Sequence, residues 1–145
     1  MRPLVVKGSD PLSRPLLRGL TPHTGHMDLL SAIRERDREA LAAMVADDVV
    51  FYSPATTYRG RDQVVDVLTL IGSVLEGVTA TRQVETVTFI KGHSEGEHLD
   101  GVLVEITDAD GRIAEITLLL RPLATLQMAV RRLARAMAEG AQPDA

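Results

Sequence analysis

The 145-residue sequence contains no cysteine, which excludes disulfides, thiolate metal centres and a cysteine nucleophile. That absence suits a reducing compartment, and a cytoplasmic location is the expectation. It also lacks any lysine- or arginine-rich block and carries a net charge of −4, so nothing in it is built to neutralise a phosphate backbone, and nucleic acid is not an expected partner. Long apolar runs are missing too. Ile116 to Leu120 is far too short to span a bilayer, and Leu4-Val5-Val6 is cut off by Lys7 and Asp10, so neither a membrane segment nor a secretory signal is expected. There is no Gly-x-Ser-x-Gly elbow for acyl transfer. Gly92 and Gly96 flank acidic residues that would repel a phosphate, so the glycines form no nucleotide cradle and no cofactor is expected.

What is present is packing material. With 45% of the residues hydrophobic, a single domain can bury roughly two thirds of the surface that its unfolded chain exposes. Residues 1–26 carry Pro3, Pro11, Pro15 and Pro22 with no periodic face, and read as an extended arm. Gly25-His26-Met27 also has the look of a cloning junction, which would make that arm foreign sequence. From Met27 the pattern becomes regular, so 27–140 reads as one α+β domain and 141–145 as a tail.

Met27, Leu30 and Ile33 mark one helical face, with Arg34, Glu35 and Arg36 turned to water. Asp37 is a fresh N-cap for a second helix, with Leu41, Met44 and Val45 as its buried stripe and Asp47-Asp48 as its end. Val49 to Ser53 reads as a strand stopped by Pro54. Gly60-Arg61-Asp62 opens a third helix with Val64, Leu68, Ile71 and Leu75 at helical spacing, running to Gly77. Val84–Ile90, Leu99–Thr107 and Arg112–Leu120 read as three antiparallel strands, the last two joined by a turn at Asp108-Ala109-Asp110-Gly111. A closing helix from Pro122 places Leu126, Val130, Leu133 and Met137 on one face and Arg131, Arg132 and Arg135 on the opposite one.

This order, with Arg36-Asp37, Val45-Ala46-Asp47-Asp48-Val49, Tyr58-Arg59-Gly60-Arg61-Asp62 and Asp110 to Ile116 as signposts, resembles the nuclear transport factor 2-like superfamily, which includes SnoaL-like cyclases, ketosteroid isomerases and limonene epoxide hydrolases. The resemblance covers Met27 to about Arg121. It implies a strongly curved antiparallel sheet wrapped against helices into a cone with an internal pocket, and a homodimer through the outer sheet face. Relatives have a longer strand region after the third helix than Thr81 to Gly101 offers, so a strand is expected to be missing or fused. The resemblance places an isomerase base near Ser53, an isomerase tyrosine near Leu29 and an epoxide-hydrolase aspartate near Leu118. A serine and two leucines cannot take a proton from carbon without a neighbouring base, so neither activity is expected.

The polar candidates are few. Strand alternation sends one of Tyr52 and Ser53 inward; Tyr52 is favoured as the inward group, a donor to a ligand carbonyl, against the commoner case of a hydroxyl reaching solvent. His98 and Asp100 lie two apart in a strand and share a face, so they could form a base and its orienting partner, although polar residues beside the Gly92–Gly96 turn are often merely solvated. His93, Glu95, Glu97 and His98 crowd a turn, and no metal site is expected. Glu105 and Glu115 fit a solvated outer sheet face. Arg121 suits a carboxylate clamp, a carbonyl cap or a dimer contact equally. The expected pocket is lined by Phe51, Tyr52, Leu68, Ile116, Leu118 and Arg121, with Phe89 as a further candidate. Three functions follow: binding of a small apolar molecule; acid–base catalysis on a small hydrophobic substrate through Tyr52, His98 and Asp100; or a dimeric interaction domain whose interior is filled.

Overall fold

The structure is a computed structural model in which residues 27–141 are described. The readings of 1–26 as an arm and of the last residues as a tail lie outside the described residues, except that Ala141 ends the last helix.

Two short helices open the fold, and each begins where an aspartate can hold it. Helix α1 (Leu29–Glu35) is capped by Asp28, whose Oδ1 accepts from Ser31 N at 2.8 Å, and α2 (Arg38–Met44) by Asp37, whose Oδ1 accepts from Ala40 N at 3.0 Å. Each cap satisfies one of the amides that a helix start leaves without a partner. Strand β1 (Val45–Tyr52) follows α2 directly, so Asp47 and Asp48 lie inside an irregular strand rather than ending a helix. A short β2 (Thr57–Arg59) turns back on β1, and α3 (Arg61–Val74) crosses the sheet. The meander β3 (Glu76–Val84), β4 (Val87–Ser94), β5 (Glu97–Thr107) and β6 (Ile113–Arg121) comes next, and α4 (Leu123–Ala141) closes the chain.

The six strands form one curved, unclosed sheet in the order β2-β1-β6-β5-β4-β3. It is mixed, because β1 runs parallel to β6 while every other pair is antiparallel. Two expectations are corrected here. The sheet is not wholly antiparallel, and no strand is missing after the third helix: Glu76–Val84 is a full strand, with Gly77 at φ 59° near its start instead of ending a helix. Its sequence hides it, since Val78 is its one buried residue and the rest is exposed edge.

The core lies between the inner sheet face and α1–α3. Register aligns Phe51 with Ile116 and Leu118 with Leu103 across adjacent strands, and all four side chains are buried. Helix α3 sinks Val64, Val67, Leu68 and Ile71 onto that layer. Where α1 crosses α3, Gly72 lets the backbones touch: a Cβ there would lie 2.0 Å from the Ile33 carbonyl oxygen.

Helix α4 lies across the end of the layer, and one arginine fixes it. Arg132 Nη1 donates to the Val74 carbonyl at 2.9 Å and to the buried Ser94 Oγ at 3.0 Å, and ion pairs tie the guanidinium to Glu76 at 3.2 Å and Glu95 at 3.5 Å. Arg132 therefore belongs to the packed side of α4, not to the solvent face expected for it, whereas Arg131 and Arg135 are exposed.

Candidate functional site

Two apolar clefts meet inside this frame. The first is walled by Leu30 and Ile33 of α1, Leu68 of α3, and Phe51 and Leu103 of the sheet. The second lies under α4, between Leu126, Val130 and Leu133 and the Ser53–Ala55 loop. Ile71, Leu75 and Leu118 line both, so these three side chains are a shared partition. Counted out to the surface the clefts hold about 420 Å³ and about 370 Å³, but the voids themselves measure only about 20 Å³ and 30 Å³. That is room for one or two waters each. The expected hollow interior is thus largely closed by leucine and isoleucine side chains reaching across from both layers.

Polar groups on these walls are scarce. In the second cleft Ser53 is the polar liner, and its Oγ is consumed by the turn: it donates to the Thr56 carbonyl at 2.7 Å and accepts from the amides of Ala55 at 3.2 Å and Thr56 at 3.0 Å. In the first, Arg34 stands at the rim, its Nη1 donating to the Val78 carbonyl at 3.0 Å. At the three positions where relatives would carry catalytic groups, Leu29 is packed in the core, Ser53 is held in its turn and Leu118 is part of the partition.

Of the residues expected to line a pocket, Phe51, Leu68 and Leu118 do so. Ile116 is fully buried beside them without reaching either cleft. Tyr52, Arg121 and Phe89 are corrections. The alternation of β1 puts Phe51 inside at 0% exposure and Tyr52 outside at 39%, because side chains on a strand change face at every residue. Arg121 leaves the outer face, 3.5 Å from Asp100. Phe89 also faces outward, with the Arg82 guanidinium 4.6 Å over its ring.

His98 Nε2 and Asp100 Oδ2 do approach to 3.3 Å. They do so on the outer face, as their neighbour Leu99 is the buried residue of that stretch, and the His98 side chain is 59% exposed. Neither this pair nor Tyr52 reaches the clefts, so the three do not converge as an acid–base set. Among the described residues no group of three or more His, Asp or Glu could hold a metal ion, and no helix is long and apolar enough to cross a membrane.

Glu105 is the polar residue whose place the sequence misstates. It follows Leu99 and Leu103 at two-residue spacing and pairs in register with the buried Ile116, so it lies on the inner face, not on the solvated outer one. Burial pushes its carboxyl above the ordinary 4.5, and the nearby Asp28 charge adds to the rise. The signal was available in the alternation, which places 99, 101, 103 and 105 on one side. A carboxyl held protonated by folding stabilises the fold fully below its unfolded value, and that stability is lost as pH rises through the folded value. Glu105→Gln is therefore expected to raise stability at pH 7 and leave it nearly unchanged at pH 3.5. Denaturant unfolding at both pH values checks this, and an equal effect at the two would contradict it.

A SnoaL-like domain family model matches residues 27–116, from the start of α1 into β6. No curated protein matches the sequence. Among solved structures, a steroid delta-isomerase from Pseudomonas aeruginosa is similar at TM-score 0.70 and 27% identity, over 74% of this chain and 85% of that one. A protein with a cystatin-like fold from Silicibacter pomeroyi is similar at TM-score 0.70 and 24% identity, over 74% and 82%. A de novo designed protein with a curved β-sheet matches at TM-score 0.59 and 16% identity, over 71% and 88%; that sequence shares little, so the curved sheet with its helices is what the two have in common. With its six-stranded curved sheet, its helices on the inner face and a family model matching most of its length, the chain belongs to the SnoaL-like domain family within the nuclear transport factor 2-like superfamily.

Proposed function

We propose that this domain binds a small, largely apolar molecule in the paired clefts, as a binding module and not as an acid–base enzyme. The observation that carries the reading is the shared partition. Ile71, Leu75 and Leu118 separate two apolar clefts, and rotation of one such side chain would join them. Leu75 is the natural gate, being only partly buried where Leu118 is 5% exposed. The similarity to a steroid delta-isomerase supports an apolar guest for the site; the leucines and serine at the catalytic positions argue against that chemistry. A neutral fluorescent probe, N-phenyl-1-naphthylamine, is expected to bind saturably at one site per chain. Leu75→Trp, which fills the partition from a half-exposed position, is expected to abolish that binding without unfolding the domain. Absence of saturable binding to the unaltered protein would overturn the reading.

The outer sheet face is proposed as the contact with a second copy of the chain. Tyr52, Val84, Ile106 and Leu119 are 39%, 48%, 47% and 55% exposed there, with the half-buried Val102 and Val104 between strands. Large residues grouped on one sheet face mark an interaction surface more than isolated ones do. The small voids favour a second reading, in which the domain serves only as a dimeric interaction piece; a protein that dimerises and binds no apolar probe would establish it.

A further inference from the structure

Among the described residues Arg34 is the one charged residue lining either cleft; its side chain is exposed at the cleft mouth and is tied to the fold by hydrogen bonds. Its Nη1 donates to the Val78 carbonyl at 3.0 Å, anchoring the guanidinium between α1 and β3, and its Nη2 approaches Ser31 Oγ at 3.4 Å. A guanidinium carries five N–H donors in a rigid plane. With two so engaged, enough remain for a two-pronged contact with a planar acceptor. Among the described residues none of the ion pairs involves Arg34, whereas Arg132 of α4 is ion-paired to Glu76 and Glu95.

We infer that the guest is an apolar monocarboxylate, with its hydrocarbon body in the clefts and its carboxylate on the Arg34 guanidinium at the rim. The planar fork of arginine matches a carboxylate in both charge and geometry. Among the described lining residues the other polar side chain, Ser53, is engaged in its turn, so a carboxylate directed elsewhere in the clefts would lose its hydration without compensation. Position supports the same orientation. Leu30 and Ile33 precede Arg34 on α1 and line the same cleft, so a chain lying along them would end at the guanidinium.

This inference rests on the binding reading above, and the experiment separates the two. Octanoate and 1-octanol are titrated against bound N-phenyl-1-naphthylamine with the unaltered protein, Arg34→Gln and Arg34→Lys. Hydrophobicity alone favours octanol, because the carboxylate is the more strongly hydrated of the two in water. A charge-assisted contact at Arg34 reverses that order, and octanoate is expected to displace the probe at about tenfold lower concentration than octanol. Arg34→Gln is expected to erase the preference, read as the ratio of octanoate to octanol affinity within each protein so that any change in probe affinity cancels, and Arg34→Lys, which keeps the charge without the fork, to restore it in part. If the probe binds and octanol competes as well as octanoate in all three proteins, the carboxylate inference is wrong and the cleft reading survives. If the probe does not bind, the cleft reading itself fails.

Discussion

Gly72→Ala is expected to destabilise the fold by about 2–3 kcal/mol, in the range found for overpacked interiors, although alanine is the better helix former. The two effects oppose each other. Within a helix alanine is favoured over glycine by up to about 1 kcal/mol, and that gain applies to Gly72, which lies inside α3. Against it, the new methyl carbon would sit 2.0 Å from the Ile33 carbonyl oxygen and 2.9 Å from Arg36 Cγ. The Arg36 side chain can swing away; the Ile33 backbone cannot, so α1 must lift off α3. For a domain of this size the loss corresponds to a fall in Tm of roughly 6–12 °C, readable by thermal unfolding. Since Leu30, Ile33 and Arg34 of α1 build one side of the first cleft, probe binding should fall with stability. An alanine variant as stable as the unaltered protein would mean that the helices are not in contact at this point.

The second large effect concerns assembly. Leu119→Asp is expected to convert a dimer into a monomer, raising the dissociation constant at least about a hundredfold, because an unpaired charge in a buried contact costs several kcal/mol. A symmetric interface uses the same patch on both copies, so the charge enters twice. Leu119 is 55% exposed in the single chain, and its replacement should leave the stability of the monomer within about 1 kcal/mol of its original value. Light scattering after size exclusion distinguishes the outcomes. A monomeric unaltered protein at high concentration, or a variant that still dimerises, would count against the outer face as the contact.

Much of the fold was legible because it rests on local chemistry. Asp37 announces α2 through a cap that is present at 3.0 Å. The Asp108–Gly111 turn is written in residue types: Asp108 Oδ1 accepts from the amides of Asp110 at 2.9 Å and Arg112 at 3.1 Å, and Gly111 takes φ 83°. The stripe Val64, Leu68 and Ile71 reports the buried side of α3. What failed was information that belongs to neighbours. Strand β3 carries Thr79, Thr81, Arg82 and Gln83 on a sheet edge, where no hydrophobic alternation is imposed because little of it is buried. Tyr52 was read as inward together with Phe51, although neighbours on a strand face opposite sides of the sheet. The same parity would have corrected it, since Val49 and Phe51 are both fully buried.

The site was less legible than the fold for a related reason. Arg34 and Arg132 sit at the margins of amphipathic helices, where an arginine stem can fold inward and its head find carbonyls on another element. No spacing within α1 or α4 encodes the carbonyls of Val78 or Val74, which reach these helices only through the tertiary fold. His98 and Asp100 show the converse: their two-residue spacing foretold a contact that exists at 3.3 Å, but spacing alone does not say on which side of the sheet a pair stands.

Ile71, Leu75 and Leu118 must part to admit a guest, and methyl-resolved NMR during titration with N-phenyl-1-naphthylamine observes this directly. Saturable shifts are expected for the methyl groups of these three residues and of Leu30, with those of Val102, Val104 and Leu119 on the outer face unmoved. Shifts confined to the outer face, or none at all up to the solubility of the probe, would contradict it.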